Sequence, residues 1–250
     1  MNISRRRMLQ QSAIAAGASI SLPLAASVSL AESTVLKKQK IVVVGAHPDD
    51  PESGCGGSIL YFAEQGHTVT SVYFTRGEAG IQGKSHDEAA AIRTAEAEKA
   101  CKILKSRPVF FHQIDGNTEL NKNTYEEFLH LLEQEKPDIC LAHWPIDTHR
   151  DHRAASLHAY DAWQMMGRSF ALYYFEVMSG RQTQTFHPTY FIDITPFEEK
   201  KREACYCHES QKAREWYSIH EEMALFRGKE AGCRYAEAFV PQTQNPKISC

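Results

Sequence analysis

The feature that most constrains the fold is a regular alternation of short β-branched runs and longer helical patterns from residue 39 onward. The first run, KIVVVG at 40–45, is almost wholly apolar, which is typical of a parallel strand buried on both faces. We therefore predict an α/β fold, a single Rossmann-like domain over 39–250 with a mainly parallel sheet and helices on both faces. The predicted strands are 40–45, 68–75, 109–114, 138–143, 172–177 and 190–194, and the predicted helices are about 57–65, 87–104, 125–133, 151–165 and 195–220.

Two polar clusters follow the first and fourth predicted strands. Residues 45–52 read GAHPDDPE and residues 143–153 read HWPIDTHRDHR, so each turn carries at least one imidazole, at least two carboxylates and at least one proline. In an open parallel sheet, sites lie at the carboxyl ends of the strands where the strand order reverses, and the first and fourth strands are neighbours there in the common order. The two clusters are therefore expected to meet at one site.

These clusters contain the ligand types that zinc prefers. Imidazole nitrogen and carboxylate oxygen bind zinc, and a catalytic zinc takes three protein ligands and a water. His47 and Asp50 from the first cluster and His152 from the second would supply such a set. The same nitrogen and oxygen ligands accept Fe²⁺ or Co²⁺, so the predicted cofactor is one Zn²⁺ per chain, with these two ions as alternatives.

The remaining polar residues of the clusters suit proton transfer. Asp49, next to a ligand, is the candidate base for the attacking water. His149 lies one helical turn before His152 and would stabilise an oxyanion or protonate a leaving group. Asp151 is expected to accept the other ring N–H of His149 and so fix its tautomer.

Each of these residues taken alone has a plainer interpretation. A single histidine at a strand end is usually a core or capping residue, and a single aspartate there is usually a turn or N-cap residue. Convergence from two separate loops favours the metal site. The histidines without such neighbours are predicted to be surface or core residues: His67, His86, His112, His130, His158, His187 and His220. His143 is closer to the site, and a core role at the strand end is predicted for it.

Several further motifs occur in order along residues 39–240. They are AHPDD at 46–50, GCGG at 54–57, TRGEAG at 75–80, RTAE at 93–96, DG at 115–116, DTHRDHR at 147–153, HESQ at 208–211 and YAEAF at 235–239. Together they resemble the LmbE-like, or PIG-L, family of zinc-dependent N-acetylglucosaminyl deacetylases. The resemblance implies that His47, Asp50 and His152 bind zinc, that Asp49 is the general base and that His149 is the acid or oxyanion-stabilising residue.

The sequence departs from the family pattern at one position. Pro51 stands where the family has glutamate directly after the aspartate pair, and Glu52 follows it. A proline restricts the residue before it, so Asp50 is expected to be extended. The contact that the family glutamate makes is left open for this chain.

The segment 76–87, RGEAGIQGKSHD, is polar and glycine-rich and is predicted to form a rim or lid of the site. Arg76 and Arg93 are candidates for binding sugar hydroxyls or a phosphate. Arg93 has an equal alternative, a structural pair with Glu96 three residues further along the helix. Glu96 falls on the apolar face of that helix and therefore needs a buried partner. His208 is a further residue that could approach the site.

The resemblance implies a hydrolase that removes the acetyl group from an N-acetylglucosamine-containing sugar or glycoconjugate. Alternatives are a zinc amidase for a different amide conjugate and a non-catalytic carbohydrate-binding protein. A nucleotide-binding oxidoreductase is disfavoured because the first loop lacks a Gly-x-Gly-x-x-Gly pattern. The formal charge of −3, without a basic tract, disfavours a nucleic-acid partner. The sequence predicts no particular oligomeric state.

Residues 1–31 are predicted to be a twin-arginine-type signal peptide, followed by a linker over 32–38. SRRRML at 4–9 precedes an uncharged run over 14–30, and small residues at 29–31 offer a cleavage site. We therefore expect export to the periplasm or the exterior, with no stable membrane span after cleavage. The alternative, a retained anchor, is disfavoured by the glycine, the proline and the marginal length of the run.

The seven cysteines are spread over the chain and form neither a small disulfide framework nor a zinc-knuckle spacing. A bond from Cys205 or Cys207 to Cys233 is left open.

Overall fold

Strands and helices alternate throughout residues 37–246, the part of the chain that the computed structural model describes. The predicted signal peptide, nearly all of the predicted linker and Cys250 lie outside these residues. The strands are β1 Lys40–Gly45, β2 Thr68–Tyr73, β3 Arg107–Phe110, β4 Ile139–His143, β5 Ala171–Phe175, β6 Tyr190–Asp193 and β7 Ala236–Pro241. The helices are α1 Asp50–Glu64, α2 His86–Leu104, α3 Lys122–Glu135, α4 Arg150–Met165, α5 Glu198–Tyr206 and α6 Ala213–Ala231, with a short 3-10 helix at Glu209–Gln211.

The seven described strands form one sheet in the order β3-β2-β1-β4-β5-β7-β6. The first five are parallel, and β7 pairs antiparallel with both β5 and β6. The predicted mainly parallel sheet is confirmed, and β1 and β4 are neighbours as expected. β7 is absent from the predicted set because Glu237 and Pro241 interrupt its short apolar run.

Helices cover both faces of the sheet. Successive side chains of β1 alternate between the faces, so Ile41 and Val43 belong to one apolar cluster and Val42 and Val44 to the other. The first cluster packs under α1, α2, α5 and α6, and the second packs under α3 and α4. Full burial of an aliphatic side chain contributes about 1.5–3 kcal/mol, so this strand anchors both cores.

Helix α1 begins earlier than predicted. It starts at Asp50, with Pro51 in the first turn, where the missing N–H group of proline costs nothing. The prediction that Asp50 is extended is therefore wrong. Glycines of its first two turns allow close packing: a Cβ atom on Gly54 would lie 2.5 Å from Phe175, and one on Gly57 would lie 2.5 Å from Ile194.

The predicted single helix over 195–220 is two helices, α5 and α6. The chain breaks at Lys212, whose φ of 54° is left-handed, after the 3-10 helix. In the break, the backbone N–H and hydroxyl of Ser210 each donate to Glu96 at 2.7 Å. The break thus gives Glu96 the buried partner that its position required, in place of the alternative pair with Arg93.

The six described cysteines are free thiols, so no disulfide joins Cys205 or Cys207 to Cys233. Among the described residues, no helix combines the length and the hydropathy needed to cross a lipid bilayer.

Candidate active site

The two polar clusters meet at the carboxyl ends of β1 and β4, beside a cavity of about 430 Å³. The cavity is lined by five of the predicted site residues and by Arg93. The five are His47, Asp49, Asp50, His149 and His152. The two clusters therefore meet at one cavity, as the strand order predicts.

Asp49 has the most unusual backbone of the site. Its φ of 126° and ψ of −25° lie in a region that non-glycine residues avoid, and it precedes α1 without a side-chain capping bond. Arg93 donates from Nη2 to Asp49 Oδ2 at 3.1 Å and to the Pro48 carbonyl at 2.6 Å. Burial raises the pKa of Asp49 to about 6, although the Arg93 guanidinium lowers it. The site therefore holds a buried carboxyl whose pKa is near neutral.

Asp50 lies between the two predicted histidine ligands. Its carboxylate is 3.3 Å from His47 Nδ1 and 3.4 Å from His152 Nε2, and it accepts the backbone N–H of His47 at 2.8 Å. Although burial raises the pKa of Asp50, the imidazoles of His152 and His143 hold it well below its usual value. The three predicted ligands are thus in contact, and the carboxylate is ionised.

The outer nitrogen of each histidine faces carboxylates. His47 Nε2 is 3.2 Å from Asp115 and 3.3 Å from Asp151, and His152 Nδ1 is 3.2 Å from Asp147. Although burial lowers the pKa of His47, its hydrogen bonds to Asp115 and Asp151 raise it well above the usual value. Metal-binding histidines commonly have such outer carboxylates, which orient the ring and raise its basicity.

His149 and His152 lie on the same side of the start of α4, as their spacing predicts, with ring centroids 4.8 Å apart. The expected hydrogen bond from the ring of His149 to the carboxylate of Asp151 is not formed, so this prediction is wrong. The Asp151 carboxylate faces His47 and accepts the Gly116 N–H at 2.6 Å, and only its backbone N–H donates to His149 Nδ1, at 3.3 Å. Asp151 therefore orients a predicted ligand, His47, rather than the predicted acid.

Sequence reasoning missed several contributors to the site. His143 is fully buried as predicted, yet its Nε2 lies 3.2 Å from Asp50 and accepts the Ala46 N–H at 3.1 Å. Burial and the neighbouring His152 lower the pKa of His143 to about 4, so its ring is neutral. His220, predicted as a surface or core residue, lines the cavity from α6. No local pattern marks these two residues, because their neighbours come from other elements.

Glu52, which follows Pro51 in the first turn of α1, points into the protein. It is fully buried, accepts a hydrogen bond from the Tyr73 hydroxyl at 2.5 Å, and lies 3.4 Å from His208 Nε2. His208 therefore contacts Glu52 and is not among the residues that line the cavity. Glu52 thus links the start of α1 to β2 and to the segment that follows α5.

The two arginines predicted to bind substrate have different positions. Arg93 lines the cavity, although its guanidinium is held by Asp49 and Pro48. Arg76 is exposed, lies over the Phe110 ring at 5.8 Å and is not among the residues that line the cavity. The segment 76–87 contributes the cavity rim through its residues 79 and 80. The structure thus brings Arg93 to the cavity and leaves Arg76 outside it.

The ligand chemistry of the cluster fits a divalent cation. Nitrogen or oxygen atoms of Asp50, His143 and His152 lie within 4.8 Å of one another, and so do those of His47, His149 and His152. Three or four nitrogen and carboxylate donors at this spacing match the preference of zinc, and also of Fe²⁺ and Co²⁺.

Comparison with known proteins agrees with this architecture. The sequence profile of the family described as PIG-L, GlcNAc-PI de-N-acetylase, matches residues 42–163. Diacetylchitobiose deacetylase of Thermococcus kodakarensis is 32% identical over 225 residues, which cover 81% of this chain and 84% of that protein. The structure of N,N′-diacetylchitobiose deacetylase from Pyrococcus horikoshii is similar with a TM-score of 0.73 and 26% identity, covering 82% of this chain and 84% of that one.

The relatives include a second kind of enzyme. 4-Oxalmesaconate hydratase of Pseudomonas putida is 26% identical over 213 residues, which cover 78% of this chain and 81% of that protein. The fold alone therefore does not determine the reaction, which must be argued from the site. The profile match and the extended similarity to the Thermococcus deacetylase do determine the family. The chain belongs to the PIG-L, or LmbE-like, deacetylase family.

Proposed function

We propose that the protein hydrolyses the N-acetyl group of an N-acetylglucosamine-containing sugar and releases acetate and a free amine. One observation carries the proposal: His47 and His152 turn one nitrogen to Asp50 and the other to carboxylates, beside the strained, partly buried Asp49. Such an arrangement suits a cation and a base at one reaction centre. The similarity to a deacetylase of diacetylchitobiose supports an acetylated sugar as substrate.

His47, Asp50 and His152 would hold the cation, with Zn²⁺ as the expected ion and Fe²⁺ or Co²⁺ as alternatives. When bound, the cation lowers the pKa of the attacking water and polarises the amide carbonyl. Asp147 keeps the His152 ring in orientation through its contact with Nδ1.

Asp49 is the proton carrier of the proposed reaction. Its carboxylate takes a proton from water as the water oxygen bonds to the acetyl carbon. Because burial raises the pKa of Asp49 to about 6, the carboxyl is ionised near neutral pH and still basic enough to accept that proton. It then passes the proton to the amide nitrogen as the C–N bond breaks. Arg93 holds the carboxylate in place at 3.1 Å.

His149 stabilises the charge that develops on the acetyl oxygen. Burial and the neighbouring imidazoles of His47 and His152 lower the pKa of His149, which favours the neutral ring. Its Nδ1 accepts the Asp151 N–H, which leaves the ring proton on Nε2. A neutral imidazole N–H is a suitable donor to an oxyanion. Of the two predicted roles of His149, oxyanion stabilisation therefore fits the geometry better than acid catalysis.

The test is metal analysis of the purified protein combined with acetate release from N-acetylglucosamine and diacetylchitobiose, before and after chelation. We expect near-stoichiometric metal and acetate release that chelation abolishes and zinc restores. Metal without acetate release would refute the proposed substrate, and a protein that binds no metal would refute the proposed site.

We also propose that the leader over residues 1–31 directs export by the twin-arginine route. The proposal is supported by the three arginines at 5–7 and the uncharged run over 14–30. Replacement of the three arginines by lysine should keep the protein in the cytoplasmic fraction, with its leader uncleaved in mass spectrometry. Unchanged export of this variant would refute the route.

A further inference from the structure

The cavity has a second wall that takes no part in the proposed reaction. Val177 and Met178, which follow β5, and Trp216 and His220 of α6 line it together with Gln182 and Gln211. This wall is apolar and aromatic with two amides, whereas the other wall carries the charged groups. Ligand sites commonly combine apolar surface with a few directional polar groups in this way.

Trp216 is fixed before any ligand arrives. Its indole Nε1 donates to the Gln211 carbonyl at 2.9 Å, and its ring meets His220 edge to face at 5.3 Å. Gln211 is itself held, because its Nε2 donates to the carbonyl of Gly80, another cavity-lining residue, at 3.1 Å. An aromatic ring that is already immobilised loses little conformational entropy when a ligand packs on it.

The imidazole ring of His220 contributes polar nitrogen atoms to this wall. The residue is 3% exposed, and its buried Nδ1 makes no hydrogen bond of normal geometry with the described residues. Burial and the nearby charge of Lys201 lower the pKa of His220 to about 3, so the ring is neutral, and it faces the Ser53 backbone as well as the cavity. Buried polar groups without a hydrogen-bond partner are uncommon in folded proteins, and a bound water, ion or ligand group can satisfy them.

We propose that Trp216 and His220 form the sugar-recognition wall of the cavity. The indole packs on the apolar C–H face of a pyranose ring, and a ring nitrogen of His220 hydrogen-bonds a hydroxyl of that sugar. The proposal rests on the proposed function and narrows the substrate class to acetamido sugars in glycosidic linkage. One sugar ring of the substrate would pack on the indole of Trp216. A cavity of about 430 Å³ lies within the range of small-ligand sites and leaves room for more than the acetamido group.

The matched variants are Trp216→Leu and Trp144→Leu. Trp144 is anchored in the same manner, since its Nε1 donates to the Gln184 carbonyl at 3.0 Å, but it does not line the cavity. We expect Trp216→Leu to raise the KM for diacetylchitobiose about tenfold with kcat within about twofold, and Trp144→Leu to change neither by more than about twofold. His220→Phe keeps a ring and removes its nitrogens, so KM should rise about three- to tenfold.

Isothermal titration calorimetry measures the binding of diacetylchitobiose separately from its hydrolysis. The titrations use metal-loaded Asp49→Asn protein, with and without the additional Trp216→Leu substitution. Thermal melts show that each variant is folded. A tenfold weaker Kd with Trp216→Leu supports the wall, even if the wild type releases no acetate and the proposed reaction fails. Acetate release by the wild type with unchanged KM and Kd in a folded Trp216→Leu protein would refute the wall and leave the reaction intact. A wild type that neither binds nor hydrolyses the disaccharide would refute both.

Discussion

The backbone of Asp49 gives a prediction in which two variants lose activity alike but differ in stability. The residue adopts a φ of 126°, where a Cβ atom is strained and glycine is not. Asp49→Gly and Asp49→Ala both remove the carboxylate, and both leave Arg93 without that partner. The two variants therefore differ only in the Cβ atom, and the difference in their stability reports the strain at this position.

The magnitude follows from two opposing terms. A non-glycine residue in a sparsely populated region costs about 1–3 kcal/mol, and relief of this strain favours the glycine variant. Glycine loses more backbone entropy on folding, which costs about 0.5–1 kcal/mol relative to alanine. The strain term is the larger, so Asp49→Gly should be more stable than Asp49→Ala by about 1–2 kcal/mol, or about 2–8 °C in Tm.

Urea unfolding of both variants in the same metal-free buffer measures this difference. Acetate release should fall at least about 100-fold in both, because each lacks the proposed proton carrier. An alanine variant that is the more stable by about 0.5–1 kcal/mol, which is the entropy term alone, would show that the strain at Asp49 does not exist in the folded protein. Activity retained in either variant would show that the carboxylate is not the base.

Further predictions concern single side chains. His152→Ala should be purified with little metal by elemental analysis, and full occupancy would contradict its role as a ligand. Asp147→Asn should weaken metal binding about 10–100-fold in chelator competition, because the outer support of His152 is weakened. Lys201→Met should lower the free energy of unfolding by about 3–5 kcal/mol in urea titration. The reason is that Lys201 Nζ lies 2.7 Å from the buried carboxylate of Glu237, which would lose its counter-charge. Burial lowers the pKa of His158, so the unfolded state binds this proton first, and stability should fall as the pH drops below about 6.5; His158→Gln should reduce that slope in pH-dependent urea titrations.

The position of the site could be predicted from sequence because it depends on topology. The order of a parallel sheet brings the ends of β1 and β4 together, whatever the detailed packing of the loops. His47, Asp50 and His152 each lie within ten residues of those ends, so short turns carry them to the same place.

The outer contacts of the site could not be predicted, because they join residues that are distant in the chain. Asp115 reaches His47 from the loop after β3, and Arg93 reaches Asp49 from the middle of α2. Pairing on a helix surface favours partners three or four residues away, which is why Glu96 was the natural alternative for Arg93. Tertiary packing gave Glu96 a different partner, Ser210, from a break that no local pattern marks.

The two walls of the cavity also have separate origins in the chain. Every group of the proposed reaction lies within the stretch that matches the family profile, 42–163, whereas the aromatic wall comes from residues 177–220. Mutations in residues 177–220 can therefore change the shape of the substrate cavity without moving the reacting groups. Because the two walls come from different segments, substitutions in one segment would change the preferred substrate during evolution without altering the reaction that the other segment supports.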